Sequence, residues 1–396
     1  MKICFITKYP PIQGGVSSRA YWQAKALGEK GHEVHIITNS LEVEDDYKEV
    51  FDLNDPAFLP KNVFIHSTDV EKNPWHIPFS PAYTERISNL AIEVIRDYNI
   101  QIIDSNFILP YGIAGNITKN ITGVPQILRH AGSDIGKLFK STSYSTLFNS
   151  IFQRADKILT YPQLKDMFIS MGIPESRISI DDMVIVDSRA FNPQVDPFPI
   201  SEYTGKKFTG CPIITYIGKI NYYWHSKGLL ELVEAMKDIK EDFLLLFVAN
   251  GRGLKEFEML LETKGLLGKS LLLNFLPPWE IPSVIKLSSC VVLPEREFPI
   301  EYHVPILPKE VMAVGKCLVL GKEIAYNQYY GDLIDRENVL LIDPKSISDF
   351  KNVLEFVIRN PEEVDDIGRI AYKTSKTVDN FSEFINYTYD QYKSLI

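Results

Sequence analysis

Basic charge is what this sequence most lacks: 42 lysines and arginines stand against 51 aspartates and glutamates, a formal net charge of -9. A general nucleic-acid binder would carry a basic surface, so no nucleic-acid partner is expected. Cysteine is scarce as well. The four present, Cys4, Cys211, Cys290 and Cys317, form no C-x-x-C pair. That excludes the common zinc and redox spacings and points to reduced core thiols in a cytoplasmic protein. No apolar run approaches the ~20 residues that span a bilayer. The opening residues Met1 to Ile6 read as a short buried strand and not as a signal peptide; peripheral contact at the inner face of a membrane stays open. The G-x-G-x-x-G dinucleotide fingerprint is missing, which disfavours NAD and FAD. A D-x-D run paired with a metal-like site is missing too, so neither a metal nor a cofactor is expected. Internal repeats and low-complexity segments are absent.

What is present belongs to a globular α/β enzyme. Apolar residues make up 45 % and charged residues 23 % of 396, an ordinary soluble composition on a chain long enough for two domains. Short apolar strands alternate with amphipathic helices, the pattern of a parallel sheet covered on both faces. Strands are expected at 2–7, 33–38, 63–67, 102–105, 126–129 and 157–160, then at 213–217, 243–248, 271–276, 289–294, 317–320 and 339–342. The stretch from Asn192 to Gly210, with Pro193, Pro197, Pro199 and Gly205, reads as a linker. The expected fold class is therefore α/β, two doubly wound Rossmann-like domains facing across a cleft. Residues 1–200 form the first, 201–375 the second, and 376–396 a C-terminal helix crossing back to the first. A ligand would lie outside the carboxyl ends of the two sheets.

Several residues stand where such a ligand would lie. Gly218 and Lys219 follow an apolar strand, and Lys227-Gly228 precede a helix starting at Leu229; two cations at a helix N-terminus suit a diphosphate. Glu301 and Glu310 follow another strand and supply carboxylates for sugar or ribose hydroxyls. Gly14 and Gly15 precede a helix near Ser17, where backbone can approach a ligand closely. His130 and Asp134 flank Gly132 just past a strand, and Asp134 could equally cap a helix. Asp181-Asp182 read as a solvated pair and Asp187 as structural.

The order of these segments resembles the GT-B glycosyltransferases, and among them the large retaining family four, or group 1. Phe5-Ile6-Thr7 through Gly14-Gly15-Val16, His130-Ala131-Gly132-Ser133-Asp134, Gly218-Lys219 with Lys227, Val248 to Gly253, and Glu310 through Ala313-Val314-Gly315 carry the resemblance, which covers nearly the whole chain. It implies a metal-independent, retaining transfer from a nucleotide sugar, UDP- or GDP-linked ahead of other bases, to a glycan, lipid-linked or small-molecule acceptor. The first domain would take the acceptor and the second the donor. Lys219 and Lys227 would neutralise the leaving diphosphate, Glu301 and His130 would meet the transferred sugar, and Glu310 would hold the ribose. Asn250 and Gly251 would approach the nucleotide, Pro277 the base, and backbone around Ile306 and Leu307 the phosphates. The chain departs from the family in five places: lysine replaces arginine at Lys219, the 220–226 loop is longer than usual, Ala131 is inserted after His130, only Val186-Asp187 remain of an Asn-Gly-Val-Asp stretch, and one extra residue separates Glu301 from Glu310. Glu297 offers a second alignment for the first glutamate. A sugar-nucleotide epimerase, a phosphorolytic enzyme and a binding-only relative share the same expectations of fold.

Overall fold

The computed structural model describes residues 1–69, 83–181, 186–204, 210–221, 224–297, 299–300, 303–326 and 332–396. Glu301, Asp182, Tyr222-Tyr223 and most of the 69–81 loop lie outside them. The chain divides into two compact units, one holding Met1–Met183, Ile300–Tyr302 and Ser382–Ile396, the other Val184–Pro299 and His303–Phe381.

The first unit is built on a seven-stranded parallel sheet. Its strands are β1 (Lys2–Ile6), β2 (Glu33–Thr38), β3 (Val63–Ser67), β4 (Ile102–Asn106), β5 (Gln126–Arg129), β6 (Lys157–Thr160) and β7 (Ile178–Ile180), in the order β3-β2-β1-β4-β5-β6-β7. Register is set by apolar residues that must be buried on both faces: Ile3 pairs with Val34 on one side and Ile102 on the other. One face packs Cys4, Ile6, Ile37 and Ile103 against Ile87, Ala91 and Val94 of the helix Tyr83–Tyr98. β7 was not expected from sequence, because three residues are too few to show a period.

The second unit repeats the plan with six parallel strands: β8 (Ile213–Lys219), β9 (Leu244–Asn250), β10 (Ser270–Leu273), β11 (Cys290–Leu293), β12 (Cys317–Gly321) and β13 (Leu340–Ile342), ordered β10-β9-β8-β11-β12-β13. Its larger core joins Ile214, Tyr216 and Phe247 of the sheet to Leu232, Phe257, Phe350 and Leu354 of the covering helices. The helix Ile347–Arg359 shows how local sequence sets an end: Ser346 Oγ accepts the Asp349 N–H at 3.2 Å, a side-chain N-cap.

Two readings of the chain path change. The 192–210 stretch is no free linker where it is described. Phe198 and Ile200 are buried with Ile213, Leu244 and Val284, and the Phe198 N–H donates to Ser283 O at 2.9 Å, so the prolines shape a segment packed on the second unit. The final helical stretch is broken at residues 378–380 into Pro361–Thr377 and Phe381–Lys393. The second of these buries Phe384, Ile385, Thr388 and Tyr392, and residues from Ser382 onward belong with the first unit.

In each sheet the strand order reverses beside the first strand of that unit. This happens between β1 and β4, and again between β8 and β11. Connections leave in opposite directions there, which opens a crevice at the strands' carboxyl ends.

Candidate active site

In the second unit, residues expected at the donor follow the carboxyl ends of β8, β9, β10 and β11. Gly218 and Lys219 are the last two residues of β8 and pair with Ala249 and Asn250 of β9. Lys227 ends a single 3-10 turn (Trp224–Lys227), and Gly228 starts the helix Leu229–Met236 with φ 68°. A side chain at Gly228 would meet the Pro294 carbonyl after β11 as well as the unfavourable backbone angle. Glycine there lets the β8 and β11 loops touch, which carries Lys227 toward Glu295.

Lys227 donates to Glu295 Oε1, and His303 Nε2 lies 2.6 Å from Glu295 Oε2. Burial opposes the Glu295 charge, but Lys227 and His303 outweigh it and bring the carboxyl down to about 2. Sequence reasoning missed Glu295. Its only signal was a charged residue directly after an apolar strand. The alternative glutamate, Glu297, is 60 % exposed and is held by Arg296 at 2.9 Å and Lys345 at 2.6 Å.

Glu310 sits in the first turn of the helix Leu307–Val314, and only 5 % of it is exposed. Its carboxyl has no hydrogen-bond partner among the described residues. Burial pushes its pKa up to about 8. Lys309 and Glu310 N–H groups both donate to Ile306 O, at 3.0 and 3.3 Å, and Pro308 has no N–H. Among the described residues, the backbone N–H groups of Ile306 and Leu307 donate to no backbone carbonyl, as expected at a helix start.

Gly251 has a use within the unit itself. With φ 131°, it leaves room for the Ile220 carbonyl, which a Cβ would approach to 2.5 Å. The Gly251 N–H is taken by Asn250 Oδ1 at 2.7 Å, and Asn250 Nδ2 donates to Asn274 Oδ1 at 3.2 Å. This turn braces the β8 and β10 loops. Pro277 is buried, and its carbonyl accepts the Glu280 N–H at 3.0 Å. Asp187 is buried and bonded to the Arg189 N–H at 3.0 Å and to its guanidinium, a structural role.

In the first unit Gly14 precedes the helix Gly15–Glu29 with φ 133°, and the position of a Cβ on Gly15 is open space. His130 is buried between Tyr161 and Phe168, with Nε2 at 2.7 Å from Thr160 Oγ1. Burial lowers its pKa to about 4, so its ring is neutral near pH 7. Asp134 caps no helix. One of its oxygens accepts the N–H groups of Ile108 (3.1 Å) and Ala131 (2.8 Å), tying the chain after β4 to the chain after β5. Burial lifts Asp134 to about 6 against those two bonds and Lys8.

Asp181 overturns the expectation of a solvated carboxylate. It is buried and paired with Arg19 and, at 2.8 Å, with Arg129. Arg129 also holds Asp104 at 3.0 Å, and Asp104 accepts the Tyr392 hydroxyl at 2.5 Å. Acidic spacing in the sequence could not reveal these arginines, which arrive from β5 and from the helix Gly15–Glu29.

Residues 204–374 match the family described as Glycosyl transferases group 1, and residues 13–180 match Glycosyltransferase Family 4. Three solved structures share the fold. Sucrose-phosphate synthase from Thermosynechococcus elongatus has a TM-score of 0.68 at 15 % identity, over 100 % of this chain and 98 % of that one. Anabaena HepE, solved in complex with UDP and glucose, has a TM-score of 0.68 at 15 % identity over 100 % of both chains. WaaG, a glycosyltransferase involved in lipopolysaccharide biosynthesis, has a TM-score of 0.64 at 15 % identity, over 98 % of this chain and 99 % of that one. N-acetyl-alpha-D-glucosaminyl L-malate synthase of Bacillus anthracis is 26 % identical over 155 residues, 39 % of this chain and 37 % of that protein. With both units matched in order and two doubly wound sheets on the page, the chain belongs to the group 1, family 4 glycosyltransferases, GT-B enzymes that use nucleotide-sugar donors.

Proposed function

We propose that this enzyme moves a glycosyl group from a UDP-linked sugar to an acceptor hydroxyl with retention at the anomeric carbon and without a metal, in glycan or glycolipid synthesis. Glu310 carries the reading: a buried carboxyl with no partner among the described residues, at a helix start beside the sheet's switch point, is a ready acceptor for a ribose diol. Lys219 and Lys227 would neutralise the diphosphate as the bond from the anomeric carbon to its oxygen breaks. Preorganised cations act strongly there because they need not reorient. UDP is the first base to try because the similarly folded HepE holds UDP and glucose. The acceptor is a glycan, a lipid-linked sugar or a small hydroxy compound. No helix among the described residues is long and apolar enough to cross a membrane, so contact with an inner membrane face would be peripheral. A thermal-shift panel of UDP, GDP, ADP and TDP sugars tests the base. Anomeric NMR of the product tests retention, and turnover in chelator tests the metal. An isomerised nucleotide sugar formed without acceptor would overturn the transfer reading.

The Glu310 carboxyl also makes a pH prediction. Its folded pKa of about 8 stands above the usual 4.5, so between these values the folded state keeps a proton the unfolded chain has released. Stability of the ligand-free protein from this group is full below pH 4.5 and is lost as pH rises through 8. Glu310→Gln is expected to flatten the fall in Tm across that window and, above about pH 8 where the carboxyl is ionised, to weaken UDP binding about 10- to 100-fold, the loss of hydrogen bonds to a charged acceptor. Melting curves against pH and UDP titration check both; an unchanged slope would place the proton elsewhere.

A further inference from the structure

Lys227 stands at the end of the 3-10 turn Trp224–Lys227, between β8 and the helix Leu229–Met236. So short a turn holds little by itself. The loop after β11 ties it down on both sides of the cation, and Arg296 makes both ties. Its N–H donates to Ser226 O at 2.9 Å, just before Lys227. Its guanidinium reaches Glu231 in the first turn of the helix, past Lys227, with Nε at 2.9 Å and Nη2 at 2.5 Å from Oε1.

Arg296 is itself braced. Its Nη1 donates to Glu297 Oε2 at 2.9 Å, Lys345 lies 2.6 Å from Glu297 Oε1, and the Glu297 N–H donates to Glu323 Oε2 at 2.8 Å. Glu323 and Lys345 follow β12 and β13, so the grip leans on two further strand ends. Glu297 also takes φ 46°, a left-handed backbone that residues other than glycine rarely adopt and that persists where surrounding bonds enforce it. Glu231 is buried, and Arg296 is its ion-pair partner. Such a pair is costly to break from one side, and what it holds is the segment from Ser226 to Glu231, with Lys227 inside it.

We propose that Arg296 is a positioning residue for the transfer: by holding Ser226 and Glu231 it fixes the turn that presents Lys227 to the donor diphosphate. The proposal rests on the donor-site reading above. Arg296 acts through the chain it clamps and not through its own charge, which Glu231 and Glu297 engage. Small displacements matter here, because moving a stabilising group by ~1 Å can cost ~10²-fold in rate.

Calorimetry of UDP binding to the full chain, at one fixed pH, separates positioning from an effect of charge alone. Arg296→Met removes a cation and Glu231→Gln removes an anion, so they shift the field at the diphosphate in opposite directions, yet both release the same clamp. Both are expected to weaken UDP binding about tenfold, and the double variant no further than either. In the Lys227→Ala/Glu295→Gln background, which lacks the cation and the carboxylate it would strand, Arg296→Met is expected to change UDP affinity less than about twofold. Arg296→Met leaves Glu231 buried without its cation and lowers Tm as well; Glu231→Gln and the double variant strand no buried carboxylate and keep the test open. Unchanged or tighter binding in Glu231→Gln, or a tenfold loss on Arg296→Met that persists without Lys227, overturns the proposal alone. If folded wild-type protein binds neither UDP nor GDP, the donor-site reading falls and the proposal with it.

Discussion

Lys227→Ala is expected to lower turnover by about 10²–10³-fold, the usual cost of removing one preorganised donor from a developing oxyanion. The change also reaches the fold. Lys227 is the main cation on Glu295, which is nearly fully buried, so alanine leaves a buried carboxylate with His303 as its remaining side-chain partner. Breaking a buried pair from one side costs about 3–5 kcal/mol where no other group compensates. Lys227→Ala should therefore lower Tm as well as kcat. The double variant Lys227→Ala/Glu295→Gln separates the two effects, because neutralising the stranded carboxylate restores Tm and leaves turnover low. Recovery of turnover in the double variant, or near-normal turnover in Lys227→Ala, would remove Lys227 from the catalytic set.

Arg129→Met should give the largest loss of stability in the first unit. Arg129 is buried, and burial works against its charge, yet Asp104 and Asp181 more than offset this and raise its pKa. Its Nε lies 3.0 Å from both Asp104 oxygens, Nη1 lies 2.8 Å from Asp181, and Nη2 lies 3.4 Å from Thr388 on the last helix. Methionine fills similar volume but strands two buried carboxylates, a change of the kind that costs about 3–5 kcal/mol. Arg19 still reaches Asp181, and Tyr392 still donates to Asp104, so the lower end of that range is expected. Urea unfolding measures it. Faster hydrogen exchange in Phe381–Lys393 should accompany it, since Thr388 and Tyr392 share the network. A loss under about 1 kcal/mol would mean these carboxylates do not depend on Arg129.

Much of the fold was legible because apolar runs that must be buried on both faces leave an unmistakable period. Four strands, Glu33–Thr38, Val63–Ser67, Gln126–Arg129 and Lys157–Thr160, have the bounds expected from sequence. β8 and β9 run further than expected, since Gly218-Lys219 and Ala249-Asn250 continue the ladder after the apolar run has ended. β7 stayed hidden for want of length. The helix start at Glu310 and the cation-to-helix turn at Gly228 were legible as local structure. At Gly251 the sequence showed a point of close backbone approach but not which backbone uses its space; in this unit Ile220 does.

The sequence by itself determined the alternation of strand and helix, the two doubly wound units and the family, because these depend on periodicity and short motifs carried within a few residues. Only the tertiary structure decided the state of the charges. Lys227 meets Glu295 across 68 positions and Asp181 meets Arg129 across 52, and no local pattern encodes such pairs. They follow from which loops converge at the ends of parallel strands, and burial there makes each unpaired charge costly enough to require its partner.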